Sequence, residues 1–221
     1  IQMKIGCVHT GAGHAIFGII EDEIRSRLQE PCVITHVTDP DLISRISQNQ
    51  KIGPYEIAQL LRMYSLCADE GCNVILNMCS SVGEAADAAK KLFALAGISV
   101  VRIDHQMCVE AAGKYSRIAV AATLASTMQP SCALLERCAK EQGKHIEVLP
   151  ILIDGAFGLD KDALAERIYA LAAPKLESFD ALVLAQNSMT ESAALLSEKL
   201  KKPVLASPAY AAREIAQLAV R

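Results

Sequence analysis

Short apolar runs alternate along this chain with longer stretches in which apolar residues recur every three to four positions. The runs read as strands at 4–9, 32–37, 73–78, 98–103, 117–122, 145–150, 181–185 and 203–206. The periodic stretches read as helices at 14–29, 54–70, 82–96, 105–113, 127–142, 160–173, 189–200 and 208–220. In 54–70 the apolar face is Ile57, Leu60, Leu61 and Tyr64, with Pro54 at the start and Gly71 just past the end. Strands and helices taking turns predict an α/β protein whose mainly parallel sheets are flanked by helices. Ligands in such sheets bind beyond the carboxyl ends of the strands. That rule nominates residues 9–13, 77–81, 104–106, 123–127 and 186–188.

Two of these turns are alike. Val74-Ile75-Leu76 leads through Asn77 to Cys79, Ser80, Ser81 and Glu84, and Ala181-Leu182-Val183-Leu184 leads to Gln186, Asn187, Ser188 and Glu191. Both carry the Ser-x-x-Glu spacing of a capping box, so Ser81 and Ser188 are the expected helix N-caps. One offset carries Ser81 onto Ser188, Glu84 onto Glu191 and Cys79 onto Gln186. A second pair matches as well: Lys4 to Thr10 and Arg117 to Thr123 are each a basic residue, a strand and a closing Thr. Two halves built alike suggest duplication, with the strand ends of both facing one cleft.

Cys79 stands at the carboxyl end of a strand and at the mouth of a helix, whose free N–H groups and dipole favour anions. A thiol so placed has a reason to be a thiolate near neutral pH, and so to act as a base or nucleophile. Around it the nominated turns carry small hydroxyls and amides: Thr10, Asn77, Ser80, Ser81, Thr123, Ser126, Thr127, Gln186, Asn187 and Ser188. With helix N–H groups they suit one or two carboxylates bound by neutral hydrogen bonds. Gly11-Ala12-Gly13 lets backbone approach an anion, but Ile16 stands where a dinucleotide fingerprint needs its third glycine. His9 ends the first strand and is the candidate second proton carrier, with His105 behind it. His14, His36 and His145 have no supporting context.

The segments Asn77-Met78-Cys79-Ser80-Ser81, Ala122-Thr123-Leu124-Ala125-Ser126-Thr127 and Leu184-Ala185-Gln186-Asn187-Ser188, in that order, resemble the aspartate/glutamate/hydantoin racemase superfamily. The resemblance covers nearly the whole chain. It implies two pseudo-symmetric α/β lobes with an active-site cleft between them, 1–103 plus 208–221 forming the first lobe and 104–207 the second. It further implies a cofactor-independent enzyme with one catalytic cysteine per lobe. This chain departs from that pattern: Gln186 stands where the second cysteine is expected, and an amide cannot accept or return a proton. Proton transfer by Cys79 next to the carboxylate or carbonyl of a small acid is the expected activity, as an isomerase or racemase. A single-cysteine decarboxylase or cis-trans isomerase, resembling the arylmalonate decarboxylase or maleate isomerase branches, is the alternative. An acid-binding protein that kept the fold and lost the chemistry is the rival from another class.

Composition narrows the field. At 221 residues the chain can bury a sizeable core, with 52% of its residues hydrophobic. A net charge of −3, few aromatics and no Trp give no footing for nucleic acid or an anionic membrane surface. No apolar run approaches a membrane span, and no charged segment followed by a long apolar one opens the chain, so cytoplasmic is the default expectation. Ile1-Gln2 ahead of Met3 reads as an appended pair and is set aside. The eight cysteines lack the spacing of a zinc site, and apart from Cys79 they read as reduced, buried core thiols. A small carboxylic acid is thus the expected partner, without metal or cofactor, and self-association stays open.

Overall fold

A computed structural model describes residues 2–11 and 14–219; Ile1, Ala12, Gly13, Val220 and Arg221 lie outside them, and with Ala12 and Gly13 most of the Gly11-Ala12-Gly13 segment. The chain divides into two compact units, Ile1–Ile103 with Pro208–Arg221, and Asp104–Ser207.

The first unit holds β1 (Lys4–His9), α1 (His14–Arg25), β2 (Val33–Thr38), α2 (Leu42–Asn49), α3 (Pro54–Asp69), β3 (Val74–Asn77), α4 (Gly83–Ala94) and β4 (Ser99–Arg102). The second holds α5 (His105–Lys114), β5 (Arg117–Ala122), α6 (Ala125–Glu141), β6 (Glu147–Leu152), α7 (Lys161–Ala172), β7 (Ala181–Leu184), α8 (Ala193–Leu200) and β8 (Val204–Ala206). The last helix, α9 (Pro208–Ala219), packs on α1 of the first unit. Each unit is an all-parallel four-stranded sheet, in the order β2-β1-β3-β4 and β6-β5-β7-β8. The two sheets share one topology, as the internal repeat predicts.

Side chains of the central strands go alternately to the two faces. In β1, Ile5 and Cys7 join Ile20 and Ile24 of α1 and Ala211, Ala212 and Ile215 of α9. Val8 goes to the other face, with Leu60, Met63 and Tyr64 of α3 and Val82, Ala86 and Phe93 of α4. In the second unit Ala119, Ala121, Leu182 and Leu184 pack against Leu164 and Ile168 of α7 and Leu196 and Leu200 of α8. The edge strands β2 and β6 are more exposed, and β6 tolerates Pro150 because an edge strand has no second ladder to feed.

Three readings of the sequence are corrected here. The α3 face is turned by one position: Leu60, Met63, Tyr64 and Cys67 are buried, while Ile57 is 44% exposed. Helix α2 went unread because its run, Leu42 to Asn49, is short and buries only Leu42 and Ile46. The first helix stops at Arg25, short of the expected 29. By contrast Pro54 and Gly71 bracket α3 as expected. Gly71 has φ +81 and forms a Schellman turn in which its N–H reaches the Ala68 carbonyl and the Cys72 N–H the Cys67 carbonyl. All eight cysteines are free, and only Cys79 and Cys132 are partly exposed. Among the described residues no helix is long and apolar enough to cross a membrane.

Candidate functional site

In each sheet the chain leaves its first strand toward one side and returns on the other. The carboxyl ends of β1 and β3, and of β5 and β7, are therefore the switch points where the following segments diverge and leave room for a ligand. Thr10 and Cys79 flank the first such point, and Thr123 and Gln186 flank the second.

Cys79 is held from behind. The ladder runs one step past β3, Met78 N–H donating to the Val8 carbonyl at 3.0 Å. Asn77 Nδ2 donates to the Cys79 carbonyl at 2.8 Å, and Tyr64 Oη donates to Asn77 Oδ1 at 3.1 Å. Asn77 and Tyr64 are both 0% exposed. Asn77, expected to bind substrate, instead spends its amide inside the protein, because a strand residue of that parity faces α3 rather than solvent. The chain then enters a 3₁₀ turn, Ser80–Val82, continuous with α4.

The capping expectation fails in the same way at both turns. Ser81 lies inside the 3₁₀ turn, and Cys79, extended at φ −121, ψ 117, takes the N-cap position. Ser188 lies inside the turn Asn187–Ser192, and Gln186, at φ −122, ψ 136, takes that position. Neither turn has a conventional side-chain cap. The extra 3₁₀ turn moves the helix start back by one turn, which the Ser-x-x-Glu spacing does not reveal. The residues at the two mouths are therefore Cys79 and Gln186 themselves.

Burial pushes the Cys79 thiol up, and this outweighs the opposing pull of the Thr10 hydroxyl, the Ser81 N–H and hydroxyl, and the Val82 N–H. The expectation of a resting thiolate is corrected accordingly: the helix mouth does favour the anion, but desolvation is larger. Cys132, the other partly exposed thiol, is pushed up by burial and by Glu136. Its sulfur meets the Met128 thioether, at 3.8 Å.

His9, the expected second carrier, is turned toward α1 rather than toward Cys79. It follows the parity of Ile5 and Cys7 onto the α1 face, whereas Cys79 packs with the α3 and α4 cluster. Its Nε2 pairs with His36 Nδ1 at 2.9 Å, and His36 Nε2 with Glu21 Oε1 at 3.1 Å. Phe17 packs on both rings. Burial, then His36, lowers the His9 pKa to about 3, so the imidazole stays neutral through the physiological range. His105 opens α5 in the second unit. The His9–His36–Glu21 chain escaped the sequence because its members come from β1, β2 and α1.

In the second unit Gln186 Oε1 accepts from the Thr123 N–H at 2.6 Å and from the Thr123 hydroxyl at 2.9 Å. Thr123 thus does for Gln186 what Thr10 does for Cys79. Thr123, Thr127 and Asn187 are buried, Ser126 is partly exposed and Ser188 is exposed. Thr190 Oγ1 donates to the Asn187 carbonyl at 2.6 Å. In the first unit Thr10, Ser80 and Ser81 are buried and Gly11 is partly exposed. Among the described residues no three His, Cys, Asp or Glu side chains come together to ligate a metal.

A buried charge lies under the Cys79 turn. Arg102, in register with Asn77 and 1% exposed, donates to Asp87 Oδ2 of α4 at 2.8 Å. Gly83 makes room for it, since a Cβ there would stand 2.2 Å from the guanidinium carbon.

These folds and turns define a class: a duplicated parallel α/β protein with one thiol at one switch point and an amide at the other. No protein-family model matches the chain, and no curated protein matches it. Solved structures do. A glutamate racemase isoform from Bacillus anthracis superposes with TM-score 0.75 at 16% identity, over 98% of this chain and 81% of that one. An allantoin racemase from Klebsiella pneumoniae gives 0.67 at 18% identity, over 99% and 88%. A maleate isomerase from Pseudomonas putida S16, bound to maleate, gives 0.65 at 14%, over 100% and 93%. The chain thus shares the two-unit α/β fold of these racemases and of this isomerase.

Two outcomes follow from these contacts. His9 binds a proton in the unfolded chain below its ordinary value of 6.5 but in the folded protein only near 3. Its contribution to stability is therefore complete above pH 6.5 and is lost as pH falls toward 3. Thermal midpoints measured from pH 7 to 4 should fall more steeply for the parent than for His9→Gln. Gly83→Ala should lower stability by about 1–3 kcal/mol in urea unfolding, because the Arg102 guanidinium cannot retreat without leaving a buried charge unpaired. That cost exceeds the helix-propensity gain of up to about 1 kcal/mol.

Proposed function

We propose that this chain is a cofactor-independent isomerase that moves a proton at a carbon next to the carboxylate or carbonyl of a small acid, with Cys79 as the proton carrier. The observation that carries the reading is the set of hydroxyl and N–H donors directed at the Cys79 sulfur beside a switch point. A thiol whose resting form is protonated is a proton donor first. Its S–H goes to a carbanion or enolate carbon, and the four donors reduce the cost of the thiolate that remains. In the reverse sense the thiolate takes the proton from carbon, and the C–H electron pair moves into the carbonyl oxygen. The membership of racemases and an isomerase in this fold supports the reaction class.

Gln186 favours a second, narrower form of the same reading. Its oxygen is occupied by Thr123, so its Nε2 is the end left to meet an acid, as a donor that does not titrate. With one thiol, exchange on one face, decarboxylation followed by protonation, or rotation of an alkene acid after thiolate addition is simpler than inversion. Under this reading a small carboxylic acid is the partner, no cofactor takes part, and the protein works in the cytoplasm.

Incubating amino acids, malonates and maleate with the protein in heavy water, read by mass and by chiral separation, tests the proposal. Solvent deuterium should enter one of these acids, or maleate should isomerise, and Cys79→Ser should reduce that rate by at least about a hundredfold. Stabilisation by an acid with no turnover in any of them would identify a binding protein instead.

A further inference from the structure

The Cys79 carbonyl receives two donors. Val82 N–H reaches it at 3.3 Å, closing the 3₁₀ turn, and Asn77 Nδ2 reaches it at 2.8 Å from the other side. Together they hold the Cys79 carbonyl, the acceptor that closes the 3₁₀ turn carrying the Ser81 and Val82 N–H groups. Those N–H groups are two of the four donors that draw the thiol toward its anion. Whether they point at sulfur depends on the backbone torsion that the Asn77 amide holds.

The orientation of that amide is itself fixed. Asn77 is 0% exposed, and a buried carboxamide can present either end to a neighbour at little steric cost. The Cys79 carbonyl decides between them, because it can only accept and so takes the nitrogen. Burial pushes the Tyr64 hydroxyl's pKa far up, with Cys79 adding to the rise, so the group stays protonated and donates to Oδ1. The nitrogen faces Cys79 and the oxygen faces Tyr64. Phe93 meets the Tyr64 ring edge-on, with centroids 5.7 Å apart, and holds it in place.

We propose that Tyr64 and Asn77 are positioning residues for Cys79: a buried hydroxyl-to-amide-to-carbonyl chain that sets the torsion on which the thiolate's donors depend. The inference rests on reading Cys79 as the reactive thiol, and both residues act without touching substrate. Tyr64→Phe keeps the ring and its packing but removes the donor to Oδ1. Asn77 Oδ1 is then left without its donor in the core, and the amide that grips the Cys79 carbonyl is held at one end only. Asn77→Asp keeps the shape and replaces the donor with an acceptor, so it should act in the same direction and more strongly.

The experiment is the pH profile of Cys79 alkylation by iodoacetamide in the full chain, followed by peptide mass. The thiolate sulfur forms the bond to carbon and iodide leaves, so the rate tracks the thiolate fraction. At neutral pH, Tyr64→Phe should react about tenfold more slowly than the parent, the factor for one net hydrogen bond to a charged group. The parent and variant rates should converge at alkaline pH, where the thiol is ionised in both. Convergence separates a shifted ionisation from a disordered site. Equal rates at every pH, or a fall of the same size at every pH, would overturn the positioning role. The Cys79 reading fails separately: a parent Cys79 that labels no faster than Cys132 removes it, as does unchanged deuterium exchange in Cys79→Ser.

Discussion

The hydrogen bond from a threonine at the end of one strand to the residue that closes its neighbour organises both units. Thr10 donates to Cys79 and Thr123 to Gln186, each across the point where a parallel sheet changes direction. Parallel strands bring their carboxyl ends together without choice, because every ladder bond runs the same way. A side chain that extends one residue past the ladder can then be fixed only by the neighbouring strand's own extension. Threonine serves because its hydroxyl donates to either a sulfur or an amide oxygen. Duplication could therefore change the chemistry of one half, thiol to carboxamide, while leaving the backbone torsions of the two turns within 20° of each other in ψ.

The thiol's state follows from competition between two large terms. Desolvation raises the cost of the anion, and hydroxyl and N–H donors lower it; at Cys79 desolvation wins. A reactive cysteine need not rest as a thiolate, however. A proton carrier has to hold its proton at one moment and release it at another, and a site that stabilised only the anion would return it slowly. The Arg102–Asp87 pair, kept under the turn by Gly83, supplies rigidity rather than free charge, since the carboxylate neutralises the guanidinium at 2.8 Å.

Architecture was legible in the sequence wherever a single period ran unbroken. The strands around Ile5, Leu76, Val120 and Leu182 are continuous apolar runs because both faces of a central parallel strand are covered. The repeat was visible because it preserved residue types at one offset, Ser81 with Ser188 and Glu84 with Glu191. What the sequence concealed depends on a shift of one residue or one turn. His9 and Thr10 are neighbours, yet strand parity sends the first to α1 and the second toward Cys79. Ser81 has the spacing of a cap, yet a 3₁₀ turn ahead of α4 gives that position to Cys79.

Asn77 shows why a polar residue at a strand end is not by that fact a ligand-binding residue. It sits one step before the turn, so its side chain enters the core, where an amide is costly unless both ends are matched. Tyr64 and the Cys79 carbonyl match them. A core built only to be stable would place a leucine here and lose nothing in area, as Leu76 does one residue earlier. The same sheet position holds Leu184 in the second unit, where the residue that follows the ladder is a glutamine anchored through its own side chain. The polar pair is thus found in the unit whose turn ends in a thiol: sulfur makes weak hydrogen bonds and cannot anchor its own backbone, so the backbone has to be held from beneath.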